Sequence, residues 1–153
     1  MKLDDTDRKI LNILQENARI TNKELASELG LSITPVFERI KKLEKGGYIQ
    51  KYVALVDHQK VEKSMIVFVF LQSKEHNHKK VQEILDYMQQ LPEVMECYHV
   101  GGEHDYLLKV MIKDMQEYES FLLQKLMVYE NVNHVKSTFV LSQIKHKTSY
   151  SLE

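Results

Sequence analysis

The hydrophobic residues of this chain change period part-way along, and that change dictates the general architecture. Up to Leu43 they recur at helical spacing; from Met65 they run unbroken as MIVFVFL, β-branched and aromatic, which suits a central strand buried on both faces. Between the two regimes Asp57–Ser64 is polar and aperiodic, so a linker is expected at 57–64. A helical domain over 1–56 and an α/β domain over 65–153 follow. With 153 residues, 43% of them hydrophobic, the chain can build two small cores and does not require one large one.

Within the first domain, Thr21–Leu43 reads TNKELASELGLSITPVFERIKKL. Thr21 with Glu24 three residues on is a capping box, and Leu25, Ala26 and Leu29 share one face of the helix that follows. Gly30 supplies the left-handed conformation that stops that helix. Ser32 is placed to cap the next, with Pro35 in its first turn, where a missing N–H costs little. Val36, Ile40 and Leu43 then form a narrow inward stripe. Helix, tight turn at glycine, helix is the arrangement that lays its second helix in a DNA major groove. Ahead of it, Asp4–Arg19 is predicted to be a helix with Asp4, Asp5 and Asp7 at its positive end and Ile10, Leu11 and Leu14 on one face. Behind it, Tyr48–Val56 is expected as a strand or short wing.

The second domain continues with a helix over Lys79–Leu91, closed by Pro92, in which Val81, Ile84, Leu85, Met88 and Leu91 share a face. Val94–Val100 and Tyr106–Ile112 read as strands joined by the hairpin loop Gly101–Asp105. Asp114 caps a last helix with Glu117 at the box position, and Val132–Ile144 is a final strand. The order βαββαβ is the ferredoxin-like plan, with both helices on one sheet face. The fold class is therefore α+β: an N-terminal winged helix-turn-helix domain and a C-terminal ferredoxin-like βαββαβ domain. Because the strands at Met65 and Tyr106 are apolar on both sides, a second copy of the chain is the simplest cover for the open face, and at least a dimer is expected.

Charge and composition narrow the function. The formal net charge of −1 argues mildly against a nucleic-acid partner, but five cations (Arg39, Lys41, Lys42, Lys45, Lys51) against Glu38 and Glu44 leave a local surplus of three over Glu38–Lys51. No apolar run approaches the roughly 20 residues that span a bilayer, and the acidic start MKLDDTDRK lacks a signal-peptide core. Cys97 is the sole cysteine, which excludes an internal disulfide and fits a cytoplasmic setting; in an apolar strand it reads as an inert core residue. No phosphate loop, nucleophile elbow or paired catalytic carboxylates occur, so no catalytic site and no cofactor are expected. His76, His78, His99, His104, His134 and His146 invite a metal reading, most at His76-Asn77-His78 and Glu103-His104-Asp105, but neither spacing makes a closed site and no metal is expected.

The stretches LDDTDRKILNILQENARITNKELASELGLS and VFERIKKLEKGGYI in the first half, with HVGGEHDYLLKV and VKSTFVLSQIKHKTS in the second, resemble the Lrp/AsnC family of bacterial and archaeal regulators. The resemblance spans nearly the whole chain, with two motifs in two domains in the family's order. It implies a sequence-specific transcriptional regulator, homodimers built through the second domain and assembled further into tetramers or octamers, and an amino-acid effector bound between dimers. Ile33 departs from it, since relatives often carry a second proline there, which bears on DNA preference and not on fold.

For double-stranded DNA the candidate contacts are Ser32, Ile33, Thr34, Pro35, Phe37 and Glu38, at the start or on the outer side of the second helix. Hydroxyls bond base edges or phosphates, Pro35 and Phe37 pack on thymine methyls or sugars, and Glu38 accepts from cytosine N4. Arg39, Lys41 and Lys42 are phosphate candidates, and Thr21, Asn22 and Lys23 open a helix whose free N–H groups favour a phosphate. The competing possibility for Arg39 is an ion pair with Glu44 or Asp7. A helix-turn-helix used only for packing is the competing possibility for the motif as a whole.

In the loop, the glycines free backbone N–H groups for a carboxylate, and Asp105 offers an acceptor for an ammonium group, a pairing that suits an α-amino acid. On residue chemistry alone an ordinary hairpin turn explains the same pattern better. By resemblance, Gly101 and Asp105 are the family's loop positions that hold the effector, with Glu103, His104 and Tyr106 shaping selectivity. Gly102 is a further candidate in the same loop, and Ser137 and Thr138 on the last strand are candidates for added polar contacts. Two further classes stay open: a nucleoid-organising DNA-binding protein with no effector, and an enzyme or amino-acid carrier with a vestigial reader.

Overall fold

Asp4 opens the first helix, α1 (Asp5–Glu16), in a capping box: its carboxylate accepts from the Asp7 N–H at 2.8 Å, and Asp7 accepts from the Asp4 N–H at 3.2 Å. The computed structural model describes residues 2–75 and 77–153. It ends α1 three residues before Arg19, because Asn17 leaves the helical region at φ −140°. α2 (Asn22–Leu29) starts from the expected box, with the Thr21 N–H donating to Glu24 at 2.8 Å and the Glu24 N–H to Thr21 Oγ1 at 3.2 Å. It stops at Gly30, left-handed at φ 65°, while the Leu31 N–H reaches back to the Ala26 carbonyl at 2.9 Å. α3 (Ile33–Lys45) has Ser32 at its N-cap position, but the serine makes no side-chain cap bond. Ile10, Leu11, Leu25, Ala26, Val36 and Leu43 close the core of this unit, with Leu14, Ile40 and Leu152 packed at its edge.

The expected strand over Tyr48–Val56 is not formed. A strand needs a partner ladder, and among the described residues none pairs with this segment, which leaves Tyr52, Val53, Leu55 and Val56 exposed.

The second unit is a four-stranded antiparallel sheet in the order β2-β3-β1-β4, with α+β topology as expected. Its elements are β1 (Met65–Ser73), α4 (His78–Gln89), β2 (Val94–His99), β3 (Tyr106–Ile112), α5 (Met115–Phe121) and β4 (Val132–Phe139). Val67, Val69 and Leu71 of β1 and Leu108, Val110 and Ile112 of β3 bury one sheet face against Ile84 and Met88 of α4 and Tyr118 and Phe121 of α5. Asn77 caps α4 through the Lys80 N–H, and Asp114 caps α5 through the Glu117 N–H. The last helix widens into a π turn at Leu122–Leu126 that periodicity did not foretell.

Three boundaries differ from expectation. β4 stops at Phe139, not Ile144: Phe139 pairs with Val67, the Val140 N–H still bonds the Ile66 carbonyl at 3.0 Å, and β1 itself begins at Met65, so no strand lies opposite the residues beyond. Residues 57–64 are tied to the sheet unit, through Ser64 Oγ donating to the Lys113 carbonyl at 2.7 Å and Lys63 pairing with Glu117 at 2.9 Å. Finally, Ile144–Glu153 groups with the residues up to Leu55, and Val56–Gln143 forms the other unit.

Candidate DNA-reading and ligand sites

In the reader, Val36 and Leu43 are fully buried and Ile40 is half-buried, which turns the rest of α3 outward. Ser32, Ile33, Thr34, Pro35, Phe37, Glu38, Lys41 and Lys42 are all exposed, as are Thr21 and Lys23, with Asn22 half-buried at the start of α2. Lys41 lies over the Phe37 ring, its ammonium 4.4 Å from the centroid, so the two present one combined cationic and aromatic surface. Arg39 is different. One of its terminal nitrogens donates to Asp4 and to Asp7, each at 2.6 Å, and these bonds raise its pKa further above the ordinary value. Asp4 in turn is lowered, first by the Asp7 N–H and then by Arg39. Of the two ion-pair partners expected for Arg39, Asp7 is realised and is joined by Asp4, while Glu44 instead accepts from the Tyr52 hydroxyl at 2.9 Å. Arg39 fixes α3 to the start of α1 in this structure, leaving Lys41, Lys42 and Lys45 as the outward cations of the helix.

The loop between β2 and β3 is closed by the Val100 N–H bonding the Asp105 carbonyl at 2.8 Å, with Gly102 at φ 130°, a conformation that side chains resist. Asp105 is held on both sides. Its N–H donates to the Leu71 carbonyl at 2.9 Å, and its Oδ2 accepts from the Ser73 N–H at 2.7 Å. Gly101, Gly102 and Glu103 are exposed, and His104 is half-buried against Phe70 with ring centroids 5.3 Å apart. Two buried atoms here, Ser73 Oγ and His104 Nδ1, have no hydrogen-bond partner among the described residues.

Other residues expected at this site point elsewhere. Tyr106 is 1% exposed, with its ring packed in the core under the exposed His99, so it does not line the loop surface. Ser137 pairs in register with Val69 and shares a short hydrogen bond with the Tyr118 hydroxyl on the helix-covered face. Thr138 pairs with Phe68 on the opposite face; the β4 residues nearest the loop end of the sheet are Val132, His134 and Val135. Register explains this. A strand alternates faces, and the β1–β4 pairing sets Ser137 and Thr138 two to three residues from Leu71. Ser73 and Phe70, which carry no distinguishing pattern in the sequence, are the residues that β1 brings to the loop instead.

Cys97 is half-buried, and burial pushes its thiol pKa up, consistent with a packing role. Among the described residues no three His, Cys, Asp or Glu side chains are gathered to hold a metal ion; His76, half of the pair weighed as ligands, lies outside the described residues. Among the described residues no helix is long and apolar enough to cross a membrane.

A winged helix-turn-helix DNA-binding family model matches residues 3–50, and a model of the Lrp/AsnC ligand binding domain matches residues 66–150. The chain belongs to the Lrp/AsnC family. The leucine-responsive regulatory protein of Escherichia coli K12 is 38% identical over 143 residues, 94% of this chain and 87% of the relative. A Neisseria meningitidis transcriptional regulator, solved as its L-Met complex, superposes with a TM-score of 0.92 at 36% identity, covering 99% of this chain and 97% of that one. An AsnC family regulator from Agrobacterium tumefaciens gives the same TM-score of 0.92 at 36% identity, over 97% of this chain and 96% of that one. This regulator therefore joins a DNA-binding helix-turn-helix to an Lrp/AsnC ligand-binding domain, and its activity is the control of transcription.

Proposed function

We propose that the regulator reads DNA with the outer side of α3 and is tuned by a free amino acid at the Gly101–Asp105 loop. The carrying observation is the division of α3: Val36 and Leu43 are wholly buried while Thr34, Phe37, Glu38, Lys41 and Lys42 stand exposed together. In this reading Ser32, Ile33, Thr34, Pro35, Phe37 and Glu38 touch base edges and sugars. Lys41, Lys42 and the α2 start at Thr21, Asn22 and Lys23 hold phosphates. Arg39 acts one step back, by fixing the helix that does the reading. One reader with a few phosphate contacts binds poorly at physiological salt, so copies joined as a homodimer, and further into tetramers or octamers, gain through effective concentration.

The amino-acid role rests on the loop's two exposed glycines beside a carboxylate that β1 holds in place. L-Met, the ligand in the Neisseria meningitidis relative's complex, is the first candidate to try. The regulator acts by binding alone, in the cytoplasm, without catalysis.

The test begins by selecting duplexes from a random pool with the wild-type protein. Thr34→Ala should weaken the selected duplex relative to random DNA by about 1–3 kcal/mol. Lys42→Ala should weaken both alike and lower the salt slope by about one. Thr34→Ala that leaves the preference intact removes the base-reading role. For the loop, melting is followed against each of the twenty amino acids, and a stabilising hit should vanish in Asp105→Ala.

A further inference from the structure

The outward side of α1 carries Arg8, Asn12, Gln15 and Glu16 on one stripe, beside the inward Ile10 and Leu11. Each of these polar side chains is bound to the segment Ser149–Glu153. The Asn12 amide bonds Leu152 twice, donating to its carbonyl at 3.3 Å and accepting from its N–H at 3.0 Å. The Gln15 amide does the same for Tyr150, at 3.0 and 3.1 Å. Arg8 donates to the Glu153 carbonyl at 2.6 Å, and Glu16 accepts from the Ser149 hydroxyl at 2.5 Å. The pairing order runs against α1, Glu153 at Arg8 and Ser149 at Glu16.

Alternate residues of an extended chain lie about 6.6 Å apart. Asn12 and Gln15 rise only about 4.5 Å along the helix, a difference that flexible amide side chains span. A carboxamide carries an NH2 donor group and a carbonyl acceptor side by side, the complement of a backbone C=O and N–H. The stripe is thus a surface that reads peptide backbone. Leu152 sets its register by packing at the edge of the reader core.

We propose that residues 149–153 are a strap that docks on the amide stripe of α1 and completes the reader. Two neighbouring features give docking a consequence. At its Asp4–Asp7 end α1 holds Arg39 of α3, so a fixed α1 presents a fixed α3. The strap also follows β4 with only residues 140–148 between, which gives the sheet unit a second covalent connection to the reader besides the one near Leu55. A change at β4 can then reach α1 through the strap as well as through the linker. The effect on DNA rests on the reading role of α3 proposed above.

The test compares the full-length wild type with Asn12→Ala/Gln15→Ala and with Leu152→Asp, by amide hydrogen exchange and by affinity for a duplex that the wild type selects from random DNA. The Tyr150 and Leu152 amides should be protected in the wild type and exchange at least about tenfold faster in both variants, with α2 and α3 still protected and duplex affinity about tenfold lower. Unprotected Tyr150 and Leu152 in the wild type overturn the strap. Variants that free the segment yet bind the duplex as tightly as wild type overturn its role in reading. A wild type that selects no duplex overturns the DNA reading itself and the affinity half of this proposal with it, while exchange still decides docking. Should the double substitution unfold α1, the outcome is read from Leu152→Asp, which leaves the helix sequence untouched.

Discussion

The two units of this regulator satisfy themselves to different degrees. The helical unit closes its six-residue core on itself, and its polar groups find partners within it: both capping boxes, the Arg39 ion pairs and the amides of α1. The sheet unit closes only one face. On the other, Phe68, Phe70, Leu107 and Met111 stay half-buried and Tyr98 is 49% exposed, with Met95 58% exposed at the β2 irregularity. Helices with inward stripes can finish a core among themselves, whereas a sheet has two faces and two helices cover one. A reader with a closed helical core and a sheet with one face left open is the division expected where one part binds DNA and the other binds its own copies.

Core substitutions should produce the largest effects and show how far the two units stand alone. Ile10→Ala and Leu108→Ala, both at fully buried sites, should each cost about 2–5 kcal/mol. The loss should fall on the unit that holds the residue, read from exchange of that unit's amides. The open face is probed next. Met95→Glu puts a charge where a second copy would bury an apolar surface, and should raise a dimer dissociation constant about tenfold to a hundredfold, seen by sedimentation, with melting of the sheet unit unchanged. An assembly indifferent to Met95→Glu would place the copy contact elsewhere.

A smaller effect separates Arg39 from its lysine neighbours. Asp7→Asn removes the more buried of its two carboxylate partners and should cost the reader about 1–3 kcal/mol in melting, while Lys42→Ala should leave melting unchanged. Acid should act most weakly. Asp4 and Glu24 in the reader and Glu117 in the sheet unit are all lowered, each first by an accepted backbone N–H bond. A depressed carboxylate stabilises the fold fully above its unfolded pKa, near 3.8 for Asp and 4.5 for Glu, and that contribution fades as pH falls through the folded value. Melting temperature should therefore be flat above about pH 6 and decline below about pH 4.5 in both units, through two such carboxylates in the reader and one in the sheet unit.

Much of this was legible locally. Capping boxes, a glycine stop and an i, i+4, i+7 stripe are short-range signals, so α2, Gly30 and α3 emerged with their boundaries nearly intact, and β1, β3 and the loop between β2 and β3 followed from composition. The signals failed where a partner was needed. Ser32 has the right chemistry for a cap but makes no bond, and Tyr48–Val56 has strand composition but no strand to pair with. Tyr106 and Ser137 sit close in sequence to loop and strand positions of interest, yet register turns both into the core.

The sequence alone determined the order of the three reader helices and of the βαββαβ elements, and the outward chemistry of α3, because each depends on spacing within one element. The tertiary structure decided which faces meet. It committed Arg39 to Asp4 and Asp7, tethered Asp105 to Ser73, and laid residues 149–153 along α1. The last of these leaves almost no trace in the sequence. Asn12 and Gln15 recognise backbone, which every residue carries, so only the folded chain reveals what they hold.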